Sequence, residues 1–149
     1  MAPRELRNAG VDAPSAATVP WVPPIPDAFT APWWAACREH RLMVRACRGC
    51  GRTHFPPRPA CPRCWSDDVD WRDSAGTGTL YTYSVVREND LDPFSGSLLY
   101  ITAIVELGEG PRLMTTIVDS PAQAIIVGAR VVVRFVERGD WTFPAFRTT

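Results

Sequence analysis

Four cysteines stand in two pairs of identical spacing, and thiolates in this arrangement typically bind a metal ion. The pairs are Cys47-x-x-Cys50 and Cys61-x-x-Cys64. Two residues between cysteines allow a tight turn that points both sulfur atoms at one position. Two such turns complete a tetrahedron of sulfur atoms about 2.3 Å from a zinc ion. Four protein ligands leave no position for water, so the spacing predicts a structural zinc site rather than a reaction centre.

Two other interpretations of the cysteine pairs remain. Iron bound as in rubredoxin uses the same four thiolates and is an alternative metal. A redox dithiol normally uses one Cys-x-x-Cys at a helix start in a thioredoxin-like setting, which this sequence lacks. The fifth cysteine, Cys37, stands apart and is predicted to be a small buried hydrophobe. His40 and His54 accompany no nucleophile motif, so we expect them to be satisfied surface or packing groups.

Charge is distributed unevenly, although the net charge is zero. Seven arginines and one acid lie between residues 38 and 64, whereas nine acids and two arginines lie between residues 65 and 110. A planar guanidinium donates to phosphate through a fork of N–H groups, so arginines near the cysteines are candidate phosphate contacts. These candidates are Arg45, Arg48, Arg52, Arg58 and Arg63. The alternative is that they remain solvated and balance the negative charge of the metal–thiolate cluster.

One helix and several short strands are predicted to position these residues. Thr30 is a good N-cap, and Pro32 fits the first helical turn because its missing N–H group costs nothing there. The helix carries Trp33 and Trp34, whose rings need cover from the body of the protein or from a partner. Strands are expected beside the cysteine pairs, over residues 42–45, 53–55 and 69–71.

From Gly76 onward, β-rich runs separated by turn residues predict five strands. They are expected at Thr79–Glu88, Leu98–Leu107, Arg112–Val118, Arg130–Glu137 and Trp141–Phe146. Gly108-Glu109-Gly110 indicates a tight hairpin. A helical turn capped around Asp119 and ended by Gly128 is expected between the third and fourth strands. This order fits a five-stranded Greek-key barrel of the OB type in a mainly β fold, although an open β-sandwich fragment would give a similar pattern.

Composition divides the 149 residues into three segments. Residues 1–26 contain six prolines and are predicted to form a flexible extension, residues 27–75 a helix plus zinc ribbon, and residues 76–149 the OB-fold domain. No apolar run is long enough to span a bilayer. The N-terminus lacks the apolar core of a signal peptide, so we expect a cytoplasmic protein without membrane contact.

In their order along the chain, these motifs resemble a family of zinc-ribbon plus OB-fold accessory proteins of acyl-CoA enzymes, catalogued as domain of unknown function 35. The resemblance covers about residues 27 to 146. It rests on the aromatic helix, both cysteine turns, Phe55-Pro-Pro-Arg58-Pro-Ala, Trp71, Gly76-Thr-Gly78, Leu99-Tyr100, Val105–Met114, Gly128, Val131 and Pro144-Ala-Phe146.

The resemblance implies a non-catalytic subunit in a hetero-oligomer. Its expected partner is a thiolase-like or lipid-transfer-protein-like catalytic subunit, in a thiolase, an acyltransferase or a steroid side-chain aldolase. The accessory subunit is expected to support the active site and to help hold a CoA thioester shared with the partner. The contacts to CoA or partner would come from the arginines named above and from Trp33 and Trp34. The sequence contains no Ser-His-Asp arrangement and no glycine-rich phosphate loop, so no catalytic residues are assigned.

Binding of single-stranded nucleic acid is the alternative function, because zinc ribbons and OB folds both perform it. The whole chain is neutral, with a pI of about 6.7, whereas a nucleic-acid-binding domain usually has a dominant basic face. The first half of the predicted OB region is also acidic. We therefore expect no nucleic-acid partner.

Overall fold

The computed structural model describes residues 22–89 and 99–149. It contains one helix, α1 (Ala31–Arg38), and eight strands among these residues. The strands are β1 (Met43–Cys47), β2 (Thr53–His54), β3 (Val69–Asp73), β4 (Thr77–Val86), β5 (Tyr100–Leu107), β6 (Arg112–Ile117), β7 (Arg130–Arg138) and β8 (Trp141–Thr148). The first three strands form an antiparallel sheet in the order β2-β1-β3. The other five form a closed barrel in the order β4-β5-β6-β8-β7. The predicted fold class is therefore confirmed, and the barrel is not an open sandwich fragment.

The barrel strands follow the alternation of apolar and polar residues in the sequence. In β6, Leu113, Thr115 and Ile117 are buried, and the residues between them are exposed. Because successive strand residues point to opposite faces, this alternation directs one set of side chains into the barrel. β4 pairs with β5 along most of its length and with β7 at its start, which closes the barrel.

One hydrophobic core joins α1 and the first sheet to the barrel. Trp33 and Cys37 of α1 and Val44 of β1 lie in the same buried cluster as Leu80 and Phe146 of the barrel. The indole N–H of Trp33 donates to the backbone carbonyl of Met43 at 3.2 Å, which fixes the helix against β1. The three-stranded sheet is therefore attached to the barrel through packed side chains as well as through the chain itself.

The body of the protein covers both tryptophans of α1. Trp33 is buried and stacks edge-on with half-buried Trp34, with ring centroids 4.8 Å apart. Trp34 in turn contacts the rings of Trp141 and Phe143 of β8 at 5.1 and 5.6 Å. Contacts within the protein therefore bury most of the surface of these two rings.

Two predicted helix caps are wrong in detail. Thr30 precedes α1, but its side chain caps no amide of the helix. Its hydroxyl and its backbone N–H instead both donate to Asp27 Oδ1, at 2.7 and 2.6 Å, so the capping carboxylate lies one turn earlier. The turn predicted after Asp119 is a short 3-10 turn at Ala122–Ala124 without a side-chain cap. The Ser120 hydroxyl is used elsewhere, since it donates to Val118 O and accepts from the Thr148 N–H.

Some expectations fall outside the described residues. These are the predicted flexibility of residues 1–21, most of the loop at 89–97, and the start of the strand predicted at Leu98. Within the described part of the extension, Val22 and Ile25 are highly exposed. The segment boundaries at residues 26 and 75 stay predictions. None of the described helices is long and apolar enough to cross a membrane.

Candidate metal centre

The four paired cysteines converge at the tip of the three-stranded sheet. Their sulfur atoms all lie within 4.8 Å of one another. Contacts between the two turns are shorter, with Cys47 Sγ 3.6 Å from Cys64 Sγ and Cys50 Sγ 3.7 Å from Cys61 Sγ. A tetrahedral zinc ion with bonds of about 2.3 Å requires sulfur separations of roughly 3.8 Å, so the arrangement fits zinc. All four ligands come from the protein, which leaves the site closed.

Both cysteine turns use the same backbone hydrogen bonds. In the first turn the Gly51 N–H donates to Cys47 O, and in the second the Trp65 N–H donates to Cys61 O, each at 2.9 Å. The Cys47 and Cys61 amides in turn donate to the carbonyls of Arg52 and Ser66. Two short turns of the same design therefore hold the two halves of the site.

The environment of Cys61 favours the thiolate that a metal requires. Backbone N–H groups of Cys64 and Arg63 donate towards its sulfur and lower the pKa of Cys61 to about 6. Although a backbone hydrogen bond from Ser66 opposes the rise, the pKa of Cys64 is raised instead, because the other three thiols of the site lie close to it. Donors directed at a charged sulfur stabilise it relative to the neutral thiol. Cys37 has the opposite environment, because burial in the apolar core raises the pKa of its thiol to about 12. This agrees with the prediction that Cys37 is a buried hydrophobe.

Arg45 differs from the other four candidate arginines because it is buried. Its guanidinium lies over the adjoining rings of Phe29 and Trp71, 5.2 and 5.0 Å from their centroids. Its Nη2 donates to Val69 O at 2.7 Å. Burial lowers the pKa of Arg45, and its Nε has no hydrogen-bond partner among the described residues. This side chain links the segment before α1 to β1 and β3.

The remaining candidate arginines are exposed around the metal centre. Arg48 forms ion pairs with Asp68 and Asp70, which are two of the nine acids between residues 65 and 110. Arg52, Arg58 and Arg63 form no ion pair with any described carboxylate. These three guanidinium groups therefore remain free to bind an anion.

Two adjoining open cavities lie beside the arginines, the first on the three-stranded sheet and the second between that sheet and the β5–β6 hairpin. Their volumes are about 440 and 430 Å³, and both are lined by Gly51 and Arg72. Arg48 lines the first, and Arg52 and Glu109 line the second. Arg72 was not among the sequence candidates, because only the pairing of β3 with β1 brings it to this groove.

The two histidines pack without forming a reactive pair. Exposed His40 stacks on the ring of Phe135 with centroids 5.1 Å apart. His54 is buried, and neither ring nitrogen has a hydrogen-bond partner among the described residues, so the expected satisfied group is wrong for His54. Burial, together with the nearby charges of Arg45 and Arg58, lowers the pKa of His54.

Two family profiles match consecutive segments of the chain. Residues 34–70 match the rubredoxin-like zinc ribbon domain of ChsH2, and residues 71–136 match the C-terminal OB-fold domain of ChsH2. These segments contain the four converging cysteines and most of the barrel. The match therefore agrees with both parts of the fold.

Curated relatives fall into two groups of different length. A DUF35 domain-containing scaffold protein of Methanocaldococcus jannaschii is 34% identical over 112 residues, which are 72% of this chain and 79% of the relative. A probable enoyl-CoA hydratase alpha subunit of Thermomonospora curvata is 37% identical over 116 residues, which are 77% of this chain. The matched region is only 36% of that longer relative.

A solved structure supports the same relationship. A chain of the structure titled Ltp2-ChsH2(DUF35) aldolase superposes with a TM-score of 0.75 and 35% sequence identity, covering 85% of this chain and 98% of that chain. The protein therefore belongs to the DUF35 family, whose members combine a zinc ribbon with an OB fold.

Proposed function

We propose that this protein is a non-catalytic accessory subunit of a thiolase-fold enzyme that acts on acyl-CoA. The observation that carries the proposal is the match to 98% of a chain from a structure titled as an Ltp2-ChsH2(DUF35) aldolase. A two-part name of this kind supports a role beside a separate catalytic subunit. The named DUF35 scaffold relative supports the same role. The expected reaction of the complex is cleavage or formation of a carbon–carbon bond, or acyl transfer, in the cytoplasm.

The four-cysteine centre is proposed to hold zinc in a structural role. The sulfur separations fit zinc, and the closed ligand set gives the ion no reactive position. An iron tetrathiolate would fit the same ligands, so the metal content of the purified protein distinguishes them. One zinc per chain supports the proposal, whereas stoichiometric iron with visible colour contradicts it.

The second cavity, between the three-stranded sheet and the β5–β6 hairpin, is proposed to contact the phosphates of CoA in the assembled enzyme. Arg52 and Arg72 both line the second cavity and form no ion pair with any described acid. Exposed arginines that lack a carboxylate partner suit phosphate, because the guanidinium binds it through two parallel N–H donors. Arg45, in contrast, already uses its guanidinium within the fold.

Reconstitution with a purified thiolase-fold subunit tests both parts of this proposal. We expect turnover of a CoA thioester by the mixture and none by this chain alone. Replacing Arg52 and Arg72 together with alanine should raise KM for the thioester about tenfold and leave kcat nearly unchanged, because a contact to a remote phosphate contributes to binding in every state. Arg147→Ala, an exposed arginine on β8 outside both cavities, is the matched control.

Three outcomes would contradict the proposal in different ways. Turnover by the isolated chain would show that it is itself an enzyme. An unchanged KM in the double variant would rule out the proposed phosphate contact but would not contradict the accessory role. Tight, salt-dependent binding of single-stranded DNA would favour the nucleic-acid function instead.

A further inference from the structure

Different residue types follow the two cysteine turns, although the backbone has the same conformation at both positions. Gly51 and Trp65 occupy equivalent positions, and both have left-handed backbone angles, with φ of 72° and 61°. Glycine adopts this conformation freely, whereas a residue that carries a Cβ is strained in it. The first turn thus uses the residue suited to the position, and the second uses the largest side chain available.

The side chain of Trp65 gains no contact within the described protein that would offset this strain. Its residue surface is 81% exposed. The other described tryptophans, at positions 33, 34, 71 and 141, each contact another aromatic ring. Trp65 has no such ring contact among the described residues. A strained and exposed tryptophan is unfavourable for the described part of the chain alone, so we infer that its benefit comes from a contact outside these residues.

The surroundings of Trp65 indicate what kind of molecule covers it. Trp65 lines neither of the two cavities and is 81% exposed, so the described residues leave most of its ring without walls that could enclose a small ligand. The occupant must bring its own apolar pocket, which a protein surface does. Exposed Arg63 precedes the ring, and tryptophan with arginine is the composition typical of binding hot spots. Asp67 lies two residues after the ring, forms no ion pair with any described residue and would repel the phosphates of a nucleic acid.

We propose that Trp65 is the anchor residue of the protein interface, inserting into an apolar pocket of the catalytic subunit, with Arg63 at the rim of the contact. This inference rests on the proposed accessory function, and it assigns one side of the interface to the second cysteine turn. The metal centre then has a second role, because it holds the turn rigidly and thereby fixes the direction of the ring.

Affinity measurements with a purified thiolase-fold subunit test the anchor. Trp65→Gly places in the second turn the residue that the first turn already uses, so we expect full zinc content and no decrease in melting temperature. The dissociation constant should rise by about tenfold or more, as for a hot-spot residue. Trp65→Asn, which also tolerates the left-handed conformation, is the second variant if the glycine variant folds poorly. Met114→Ala, which removes a side chain from a residue that is 79% exposed on β6, is the control for loss of exposed apolar surface.

The outcomes separate the anchor from the function on which it rests. Wild-type affinity in a zinc-loaded Trp65→Gly protein would overturn the anchor and leave the accessory function intact. A wild-type chain that binds no thiolase-fold subunit would overturn the function and the anchor together. If the wild-type chain forms a dimer that Trp65→Gly converts to a monomer, as light scattering would show, the occupant is a second copy and the proposed partner is wrong.

Discussion

Arg45 lies over the adjoining rings of Phe29 and Trp71, and this position determines what its guanidinium can do. The charge is stabilised by two aromatic faces and one carbonyl rather than by water. Such an arrangement suits arginine, because the planar group stacks on rings and still donates in its plane. Sequence spacing identified Arg45 as basic and close to the cysteines. It did not reveal the burial, because Val69 lies 24 residues further along the chain.

We predict that Arg45→Ala lowers the free energy of unfolding by about 2–3 kcal/mol. The substitution removes the two ring contacts and the hydrogen bond to Val69 O, and it leaves a space over the two rings. Arg45→Met should lose less, because it keeps the packing of the stem and removes a buried Nε that has no partner among the described residues. Denaturant unfolding at constant zinc content measures both.

The control for this prediction is Arg52→Ala at an exposed arginine of the same ribbon. We expect a change within about 0.5 kcal/mol there, as for surface substitutions generally. Equal losses for Arg45→Ala and Arg52→Ala would show that the contacts of Arg45 with Phe29, Trp71 and Val69 contribute no stability.

Gly78 determines how closely strands β4 and β5 approach each other. It pairs with Leu107 of β5 and with Val131 of β7, at the place where the barrel closes. A Cβ at this position would overlap the carbonyl oxygen of Glu106 and would lie 3.0 Å from Val105 Cγ1. The overlapped atom belongs to the backbone, so it cannot move away by a change of rotamer. The Gly76-Thr-Gly78 motif therefore has a steric cause.

We predict that Gly78→Ala destabilises the barrel by about 3 kcal/mol, in the range for overpacking of a core. Thermal unfolding followed by far-UV circular dichroism measures this loss. Gly108→Ala is the control, because a Cβ there meets its nearest atom at 3.7 Å and the residue has no positive φ. A melting temperature for Gly78→Ala equal to that of Gly108→Ala would contradict the steric argument.

At the scale of elements, the strands followed from the local sequence pattern. The helix caps did not, because other groups in the fold compete for the capping side chains. All five barrel strands and the Gly108–Gly110 hairpin occur, and each strand end lies within two residues of its prediction. The caps failed because each hydroxyl has other polar groups within reach besides the helix amides. Thr30 donates to Asp27, and Ser120 binds Val118 and Thr148, the latter 28 residues away. No local pattern reports a partner at that distance.

The candidate site divides in the same way. Convergence of the four cysteines followed from spacing alone, because each turn is local and only two turns had to meet. The environments of the arginines could not be predicted from the sequence, because β-sheet pairing decides which of them face an acid, a ring or a cavity. Trp65 had a detectable clue, because it follows Cys64 as Gly51 follows Cys50. That comparison requires knowing that both turns have the same backbone.

At the scale of the whole molecule, two buried clusters of unequal size hold the described residues together. The large one includes α1, part of β1 and the barrel. The small one consists of Cys47, Cys61 and Val69. Phe55 also packs against the large cluster, on Trp33. These few contacts cannot offset the conformational entropy of residues 47–69, so the metal must supply most of the stabilisation of the ribbon tip. The helix and the barrel, in contrast, are stabilised by burial that does not involve the metal.

We therefore predict that metal removal unfolds residues 47–69 and leaves the rest of the described structure folded. A chelator under reducing conditions should abolish amide protection in that segment, and Cys61→Ala should have the same effect. Protection in β5 to β8 and in α1 should persist, because their contacts lie in the large cluster. Hydrogen exchange followed by mass spectrometry resolves these segments. Cys37→Ala is the matched control: it removes a buried cysteine from the large cluster and should retain the metal.

The two ways in which this prediction can fail have different meanings. Equal loss of protection across the barrel would show that ribbon and barrel unfold as one cooperative unit, coupled through α1 and Val44. Full protection of residues 47–69 without metal would show that the backbone hydrogen bonds of the two turns suffice. If the segment alone unfolds, Trp65 loses its fixed direction together with the metal. Partner binding should then fall on chelation while the barrel remains intact, and metal occupancy would control assembly of the complex.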